Sequence, residues 1–582
     1  MRATLSIHSG ESLEIAGFFF TFLLSMIEVS SLNVRAENGL VRILKAEGVE
    51  WVSTFPATPI NNACGEEDVM NLMMRTERFA IAVADGFSRV SNGKRIGVCS
   101  VQGGMNAAGI QDAYSGIAQA YEDSSPILCI TGGVPPNISE TERWNTSEAF
   151  RSATKWTGLI NKPNRVPEYL RRAFTYLRTG RPGPVLLQLP RGLGEYDETD
   201  FSYVPVKGWR SKGDPRDVKA AVRALLAAKR PLIYAGQGVF YGDACDELRD
   251  FAELMKVPVL TTLKAKSCFP EDHPLSLGVR GLPAEKFLQT SDLIFAVGSS
   301  LSPGRFSHHV PDPFGKVIVQ STVDEMDINR NSIVDHAIIG DAKLVLEQLI
   351  KEVKEQAGSK PKRSDELLRE VEEAKKEHLE KYLPLMKSDE KPINPYRVYK
   401  ELMDTIDRMN SFVTHDSGNT RDQLSTVYEA LVPHGFLGWG NVSTLGFGLG
   451  AAIGAKLAFP ERQVVNVTGD AGVAYQVGNY EALVRNEIGI TTIHINNSGF
   501  GGYGPGFWGP GHSPYTSKVT SSSILKMADV AEALGEYAER IEDPDEIAPA
   551  LKRAFKENQS GKPSYLEIIC CQYPVYGRWL MG

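Results

Sequence analysis

The chain has 582 residues, 42% of them hydrophobic, with 54 glycines, 33 prolines and a formal net charge of −8. This length provides for several domains, each with its own core, and the acidic balance without a long basic run argues against nucleic acid as a partner. The seven cysteines (Cys64, Cys99, Cys129, Cys245, Cys268, Cys570 and Cys571) form no CxxC pair, which disfavours a zinc site or a disulfide scaffold and fits free thiols in a reducing, cytoplasmic setting.

In chain order, residues 1–33 are read as an extension outside the folded body. Its apolar run Ala16–Ile27 has only 12 residues, too few to span a bilayer, and no small-residue cleavage site follows. Met26 is an alternative start, and no membrane association is expected. From 34 to 200, amphipathic stretches alternate with short apolar runs. One strand is expected to end near Phe55, another to cover Ile96–Val101 before Gly103-Gly104, and another to fall near 184–189. Residues 205–355 repeat this alternation. The charged stretch 356–391 reads as a helical surface connector, and 392–582 forms a third block of strands ending in polar, glycine-rich loops. The expected fold is α/β, with three domains of parallel-sheet sandwich type.

The strongest chemical signal lies in the third block. In Gly469-Asp470-Ala471-Gly472, Asp470 follows directly on the apolar run VVNVTG, and Asn497, 27 residues beyond Asp470, follows TTIHIN. If both runs are neighbouring parallel strands, their polar ends meet where open α/β sheets bind ligands. A carboxylate, an amide oxygen and a backbone carbonyl form a hard-oxygen set suited to Mg²⁺, with phosphate oxygens and water completing an octahedron.

This pattern resembles the thiamine-diphosphate-dependent enzymes, whose signature is GD followed by NN at a similar distance. The resemblance covers nearly the whole chain from about residue 34 and implies a pyruvate-decarboxylase-like arrangement. Residues 34–200 would bind the pyrimidine and 392–582 the diphosphate, with thiamine diphosphate and Mg²⁺ as cofactors. It assigns Asp470, Asn497 and the carbonyl of Gly499 to the metal. Gly469, Ala471 and Gly472 would lie along the diphosphate, with Ala471 replacing the family's usual glycine. Within His415-Asp416-Ser417-Gly418-Asn419, Gly418 and Asn419 are implied diphosphate contacts, and Leu445 is implied as the apolar wedge beneath the bent cofactor.

The same resemblance makes Glu77, in Met74-Arg75-Thr76-Glu77-Arg78, the catalytic acid. In the family this glutamate hydrogen-bonds N1′ of the aminopyrimidine and so promotes loss of the thiazolium C2 proton. Alone, a Glu between two arginines reads as a surface ion pair. The family also builds each site from the first domain of one subunit and the third of another, which implies a homodimer or homotetramer.

The substrate is less firmly written. Ala57 and Thr58 occupy an active-site loop that lacks the glycine pair of many relatives, and Gln102-Gly103 departs from the common Ser-Gly-Pro-Gly pattern. Gln102 either bonds an intermediate or satisfies its own loop. Tyr503, Phe507 and Trp508, with His512 nearby, lie in a glycine- and aromatic-rich segment that reads either as a lid or as a rigid loop. The terminal YPVYGRWLMG either closes the same pocket or packs. The organisation looks closest to acetolactate synthase and the 2-oxo-acid decarboxylases, which makes a 2-oxo acid the leading substrate for decarboxylation or carboligation. An acyl-CoA substrate, as in 2-hydroxyacyl-CoA lyases and oxalyl-CoA decarboxylases, is the alternative. A non-catalytic assembly subunit would be expected to lose Glu77 or the metal ligands, and this chain keeps them.

Overall fold

The structure is a computed structural model describing residues 33–580 apart from 105–107, 136–143, 201, 358–364, 439, 500–509, 514–515, 517, 519 and 522. The extension up to residue 32 and the aromatics Tyr503, Phe507 and Trp508 therefore lie outside the described residues.

Three parallel sheets organise the chain, as the alternating pattern predicts. The first has six strands in the spatial order Met70–Met73, Trp51–Thr54, Gly97–Val101, Ile127–Gly133, Val185–Pro190, Trp156–Leu159. The second has five, in the order Val259–Thr261, Pro231–Ala235, Leu293–Val297, Val317–Thr322, His336–Ile339. The third again has six, ordered Phe436–Leu437, Ser411–His415, Gln463–Gly469, Thr491–Asn496, Ser564–Ile569, Tyr537–Ile541. Central strands such as Gly97–Val101 and Val185–Pro190 are buried along their whole length, so they read as continuous apolar runs without alternation.

In each sheet the chain steps from its first strand to one edge and then crosses back past that first strand, and such a switch point leaves a crevice at the carboxyl ends of the two strands that flank it. In the first sheet these strands are Trp51–Thr54 and Gly97–Val101, which are followed by Ala57-Thr58 and Gln102-Gly103. In the third they are Ser411–His415 and Gln463–Gly469, which are followed by Gly418-Asn419 and Asp470. Topology alone thus places most of the sequence-chosen residues at two crevices.

The first and third domains are joined by a pair of closely packed helices, Glu77–Val90 and Phe447–Ala458. A methyl group on Gly86 would lie 2.5 Å from Ala451 Cα, and one on Gly454 would lie 2.4 Å from the Phe87 nitrogen. Bare glycines therefore let the backbones approach, and the surrounding Phe79, Val83, Phe87, Leu449 and Ile453 fill one shared core. Beside it, fully buried Arg89 bonds Asp85, Asp123 and the Gly438 carbonyl, while Asp123 accepts the amides of Gly440 and Asn441. This ion network crosses between the same two domains.

The charged connector contains the helix Glu366–Met386, which buries a stripe of its own. Leu367 and Val371 join the core of the second domain, whereas Tyr382 and Met386 join that of the third. The C-terminal tail docks in the seam between these domains, with Gly577 accepting from Arg280 Nε at 2.7 Å and donating to Thr426 Oγ1 at 2.9 Å. No helix among the described residues is long and apolar enough to cross a membrane.

Candidate active site

Strands Gln463–Gly469 and Thr491–Asn496 are adjacent and parallel, with Gly469 beside Ile495, so the residues that follow them emerge together. Asp470 opens the helix Asp470–Gln476, and its Oδ2 accepts the Asn497 backbone N–H at 3.2 Å. One terminal atom of the Asn497 amide stands 2.9 Å from the Gly499 carbonyl oxygen and 3.2 Å from Asp470 Oδ2. With nitrogen in that place, the amide donates to both oxygens. With oxygen there, three oxygens converge and require a cation between them. Octahedral Mg²⁺ with oxygens at about 2.0–2.1 Å puts neighbouring ligands roughly 2.9 Å apart, close to these spacings. The residues present therefore fit a hard divalent cation. Ser498 at φ +69° and Gly499 at φ +125° turn the backbone sharply after Asn497.

The phosphate side is shaped by open backbone. Gly418 has φ +89°, and a methyl placed on it would meet no atom within 4 Å, so it needs glycine for conformation and leaves free space beside it. Asn419 begins the next helix. Gly472 is held from the other side, since a methyl there would lie 2.3 Å from Thr468 Oγ1. Ala471 is partly exposed at the second position of its helix, and nothing about its backbone requires glycine.

Sequence reading passes over Asp416, which organises these loops. It is fully buried and accepts from the backbone amides of Ser417, Gly446 and Gly448 and from Gln476 Nε2, the last at 2.8 Å. One carboxylate thus joins the Gly418 loop, the turn after Leu445 and the helix begun by Asp470. Burial raises its pKa, and the three amides oppose that shift. The neighbouring His415 is pushed down to about 3, first by burial, and stays neutral. The signal for Asp416 is present in the HDSGN motif, but its partners lie up to 60 residues away.

Glu77 lies in the other half of the candidate site. Thr76 caps its helix by accepting from Phe79 N at 3.2 Å, which fixes Glu77 in the first turn. The glutamate is only 8% exposed, and burial is the main cause of its raised pKa. Its own backbone N–H opposes this, and the Asp112 carboxylate adds to it. A methyl on Gly109 would come within 2.4 Å of Glu77 Oε1 and 2.7 Å of Gln102 Cβ, so Glu77 and Gln102 meet over the bare backbone of Gly109. Gly103 is wedged on the far side, where a methyl would lie 2.1 Å from Thr131 Oγ1. Ala57 has φ +68°, in the left-handed region that favours glycine, and its carbonyl accepts from Arg191 Nη2 at 3.0 Å. Thr58 is buried and tied to Asn61 Oδ1 at 2.8 Å through its backbone N–H. Leu445 is partly exposed, and its carbonyl accepts from Arg78, whose guanidinium lies over Tyr475.

Among the described residues, Glu77 makes no hydrogen bond or ion pair with Asp470, Asn497 or Gly499 of its own chain. A separate open cleft of about 950 Å³ lies at the second sheet's switch point, lined by Gly236, Gly238, Gly298, Lys264 and Asp327 among others. None of the residues chosen from sequence lines it.

Three family models match in series: the N-terminal TPP binding domain of thiamine pyrophosphate enzymes over residues 34–152, their central domain over 218–349, and their C-terminal TPP binding domain over 416–568. A probable acetolactate synthase large subunit of Methanocaldococcus jannaschii is 32% identical over 561 residues, covering 92% of each chain. The chain belongs to the thiamine pyrophosphate enzyme family. The large subunit of acetolactate synthase isozyme 3 from Escherichia coli K12 is 26% identical, covering 91% of this chain and 93% of its own. A glyoxylate carboligase of E. coli O157:H7 is 29% identical, covering 90% of each. The protein is thus an enzyme that uses thiamine diphosphate, and both crevices lie within the matched cofactor-binding domains.

Proposed function

We propose that this enzyme uses thiamine diphosphate and Mg²⁺ to decarboxylate a 2-oxo acid and join the product to a second carbonyl, as an acetolactate-synthase-like carboligase. The reading rests chiefly on similarity over about nine-tenths of the chain to proteins named acetolactate synthase large subunit and glyoxylate carboligase. Residues 34–200 serve the pyrimidine and 392–582 the diphosphate, with 205–355 between them.

When bound, the cofactor supplies an electron sink beside the substrate carbonyl. Asp470, Asn497 and the Gly499 carbonyl hold the metal, while Gly418, Asn419, Gly469, Ala471 and Gly472 admit the diphosphate. Leu445 supports the cofactor's bend. Glu77 holds a proton at N1′ of the aminopyrimidine, a task suited to a carboxyl that burial has moved towards the neutral form. Ala57, Thr58, Gln102 and Gly103 line the substrate side. Following the family resemblance, we read the complete site as shared between subunits of a homodimer or homotetramer, with Glu77 of one chain serving the cofactor held by Asp470 of another. The free thiols, mostly buried, suit a reducing cytoplasm.

The test is product analysis by mass spectrometry after incubation with thiamine diphosphate, Mg²⁺ and either pyruvate or glyoxylate. Acetolactate from pyruvate, or the corresponding condensation product from glyoxylate, is expected. Absence of any coupled product from both acids, with cofactor binding confirmed in the same sample, would reject this reading and bring acyl-CoA substrates forward.

A further inference from the structure

His494 sits on the strand Thr491–Asn496 that leads into Asn497, two residues before Asn496, and is completely buried. Its Nε2 faces Asp470 Oδ1 at 3.3 Å, and its Nδ1 lies 2.8 Å from the hydroxyl of Tyr565, itself fully buried on the next parallel strand. Among the described residues, neither His494 Nε2 nor Asp470 Oδ1 has any other polar partner. Two orphaned atoms of opposite hydrogen-bonding character therefore face each other behind the candidate metal ligand.

The Asp470 carboxylate, which only accepts, decides which imidazole nitrogen carries the hydrogen, since the tyrosine hydroxyl can donate or accept. If Nδ1–H donated to Tyr565, the lone pair of Nε2 would point at a carboxylate oxygen, setting acceptor against acceptor. If Tyr565 donates to Nδ1, Nε2 bears the hydrogen and presents it to Asp470. Only the second arrangement sets a donor against an acceptor at both contacts. At 3.3 Å the contact with Asp470 is longer than an ordinary hydrogen bond.

We propose that His494 and Tyr565 are positioning residues that orient the Asp470 carboxylate for its cation. Tyr565 holds the ring in the tautomer that the carboxylate requires, and His494 holds Oδ1 so that Oδ2 remains directed at Asn497 and Gly499. The neighbouring strand supports the first asparagine of the Asn496-Asn497 pair independently: Glu567, two residues beyond Tyr565, accepts from Asn496 Nδ2 at 2.7 Å and from the amides of Met527 and Ala528. Strand Ser564–Ile569 therefore backs the metal loop at two points, and only the Tyr565 point reaches a ligand side chain.

This inference rests on reading Asp470 as a metal ligand, so the experiment measures metal binding directly. The full chain, saturated with thiamine diphosphate, is titrated with Mn²⁺, and free Mn²⁺ is followed by electron paramagnetic resonance. Thermal unfolding monitors the fold of each variant. His494→Leu is expected to weaken Mn²⁺ binding about 10–100-fold, the usual cost of losing a group that orients a metal ligand. Tyr565→Phe removes one oxygen from the core and is expected to weaken binding less, on the order of several-fold. His494→Gln, which returns an N–H near the position of Nε2, is expected to recover most of the loss. The double variant His494→Leu/Tyr565→Phe is expected to bind no worse than His494→Leu, because the hydroxyl acts only through the imidazole. Wild-type affinity in both single variants would overturn the proposal, as would losses that multiply in the double variant. Should His494→Leu fail to fold, Tyr565→Phe and His494→Gln decide the matter. Failure of the wild type itself to bind Mn²⁺ in an Asp470-dependent manner would overturn the metal reading and this inference together. Normal wild-type binding with indifferent variants would overturn the inference alone.

Discussion

Asp416 and Glu77 are both buried carboxylates at crevices of parallel sheets, yet their surroundings are opposite. Asp416 receives four hydrogen-bond donors from three separate segments of the third domain. Glu77 has only its own backbone N–H to favour the charged form and stands near another acid, Asp112. A carboxylate surrounded by donors is fixed in place, and those donors oppose the protonation that burial favours, which suits a framework. A carboxyl removed from water without a cationic partner shares its proton readily, which suits acid–base work. The third-domain half-site is thus organised by saturated bonding, and the first-domain half-site is kept reactive by leaving one bond unmade.

The sharpest way to break this contrast is Glu77→Gln. The amide keeps the shape but cannot exchange a proton, so kcat is expected to fall by about 10²–10⁴. Cofactor affinity, which the other half-site governs, should change by no more than a few-fold. Steady-state rates together with a fluorescence titration of thiamine diphosphate separate the two effects. A comparable loss of binding would show that Glu77 is framework as well.

How much of this could be read from sequence follows from the range of each interaction. Gly469-Asp470 and Asn496-Asn497 were legible because each motif is local and the two strands that carry them are immediate neighbours. The three parallel sheets were legible for the same reason, since apolar runs and glycine loops alternate at short intervals. Asp416 was hidden because its meaning depends on amides 30 and 32 residues away. His494 was hidden more deeply, as Tyr565 lies 71 residues further on and only strand register brings them together. The connector reads from sequence as a surface helix because its charges outnumber the few residues, Leu367, Val371, Tyr382 and Met386, that dock it. The tail's alternatives were open because an aromatic terminus fits a pocket and a seam equally well. Its contacts with Arg280, Thr426 and His308 put it in the seam.

A smaller perturbation probes the saturated side. Asp416→Asn substitutes a donor for one of two accepting oxygens and sets an NH₂ group against amides that previously found a carboxylate. Leaving buried donors unpaired costs about 1–3 kcal/mol, and the loss should appear in urea unfolding of the third domain. Thiamine diphosphate affinity should fall as well, because the Gly418 loop and the helix of Asp470 lose their common anchor. In contrast to Glu77→Gln, the residual enzyme saturated with cofactor should retain most of its kcat. A large fall in kcat at full saturation would assign Asp416 to the chemistry and dissolve the distinction between the two carboxylates.

Glu536 extends the comparison to a carboxyl with no donors at all. It lies just before strand Tyr537–Ile541, and neither of its oxygens has a hydrogen-bond partner among the described residues. Burial alone pushes its pKa well above the ordinary 4.5, with Tyr480 and Tyr565 as neutral neighbours. Between that ordinary value and the raised one, the folded chain holds a proton that the unfolded chain releases, so stability falls as pH rises. Glu536→Gln removes this dependence. Against the wild type, the variant should therefore gain stability as pH rises above roughly 5, by no more than the single-proton limit of about 1.4 kcal/mol per pH unit. Urea unfolding at pH 5, 6 and 7 reads the divergence directly. Parallel curves would mean that Glu536 ionises in the folded state, which would require a donor to reach it and would place it with Asp416 instead of beyond Glu77.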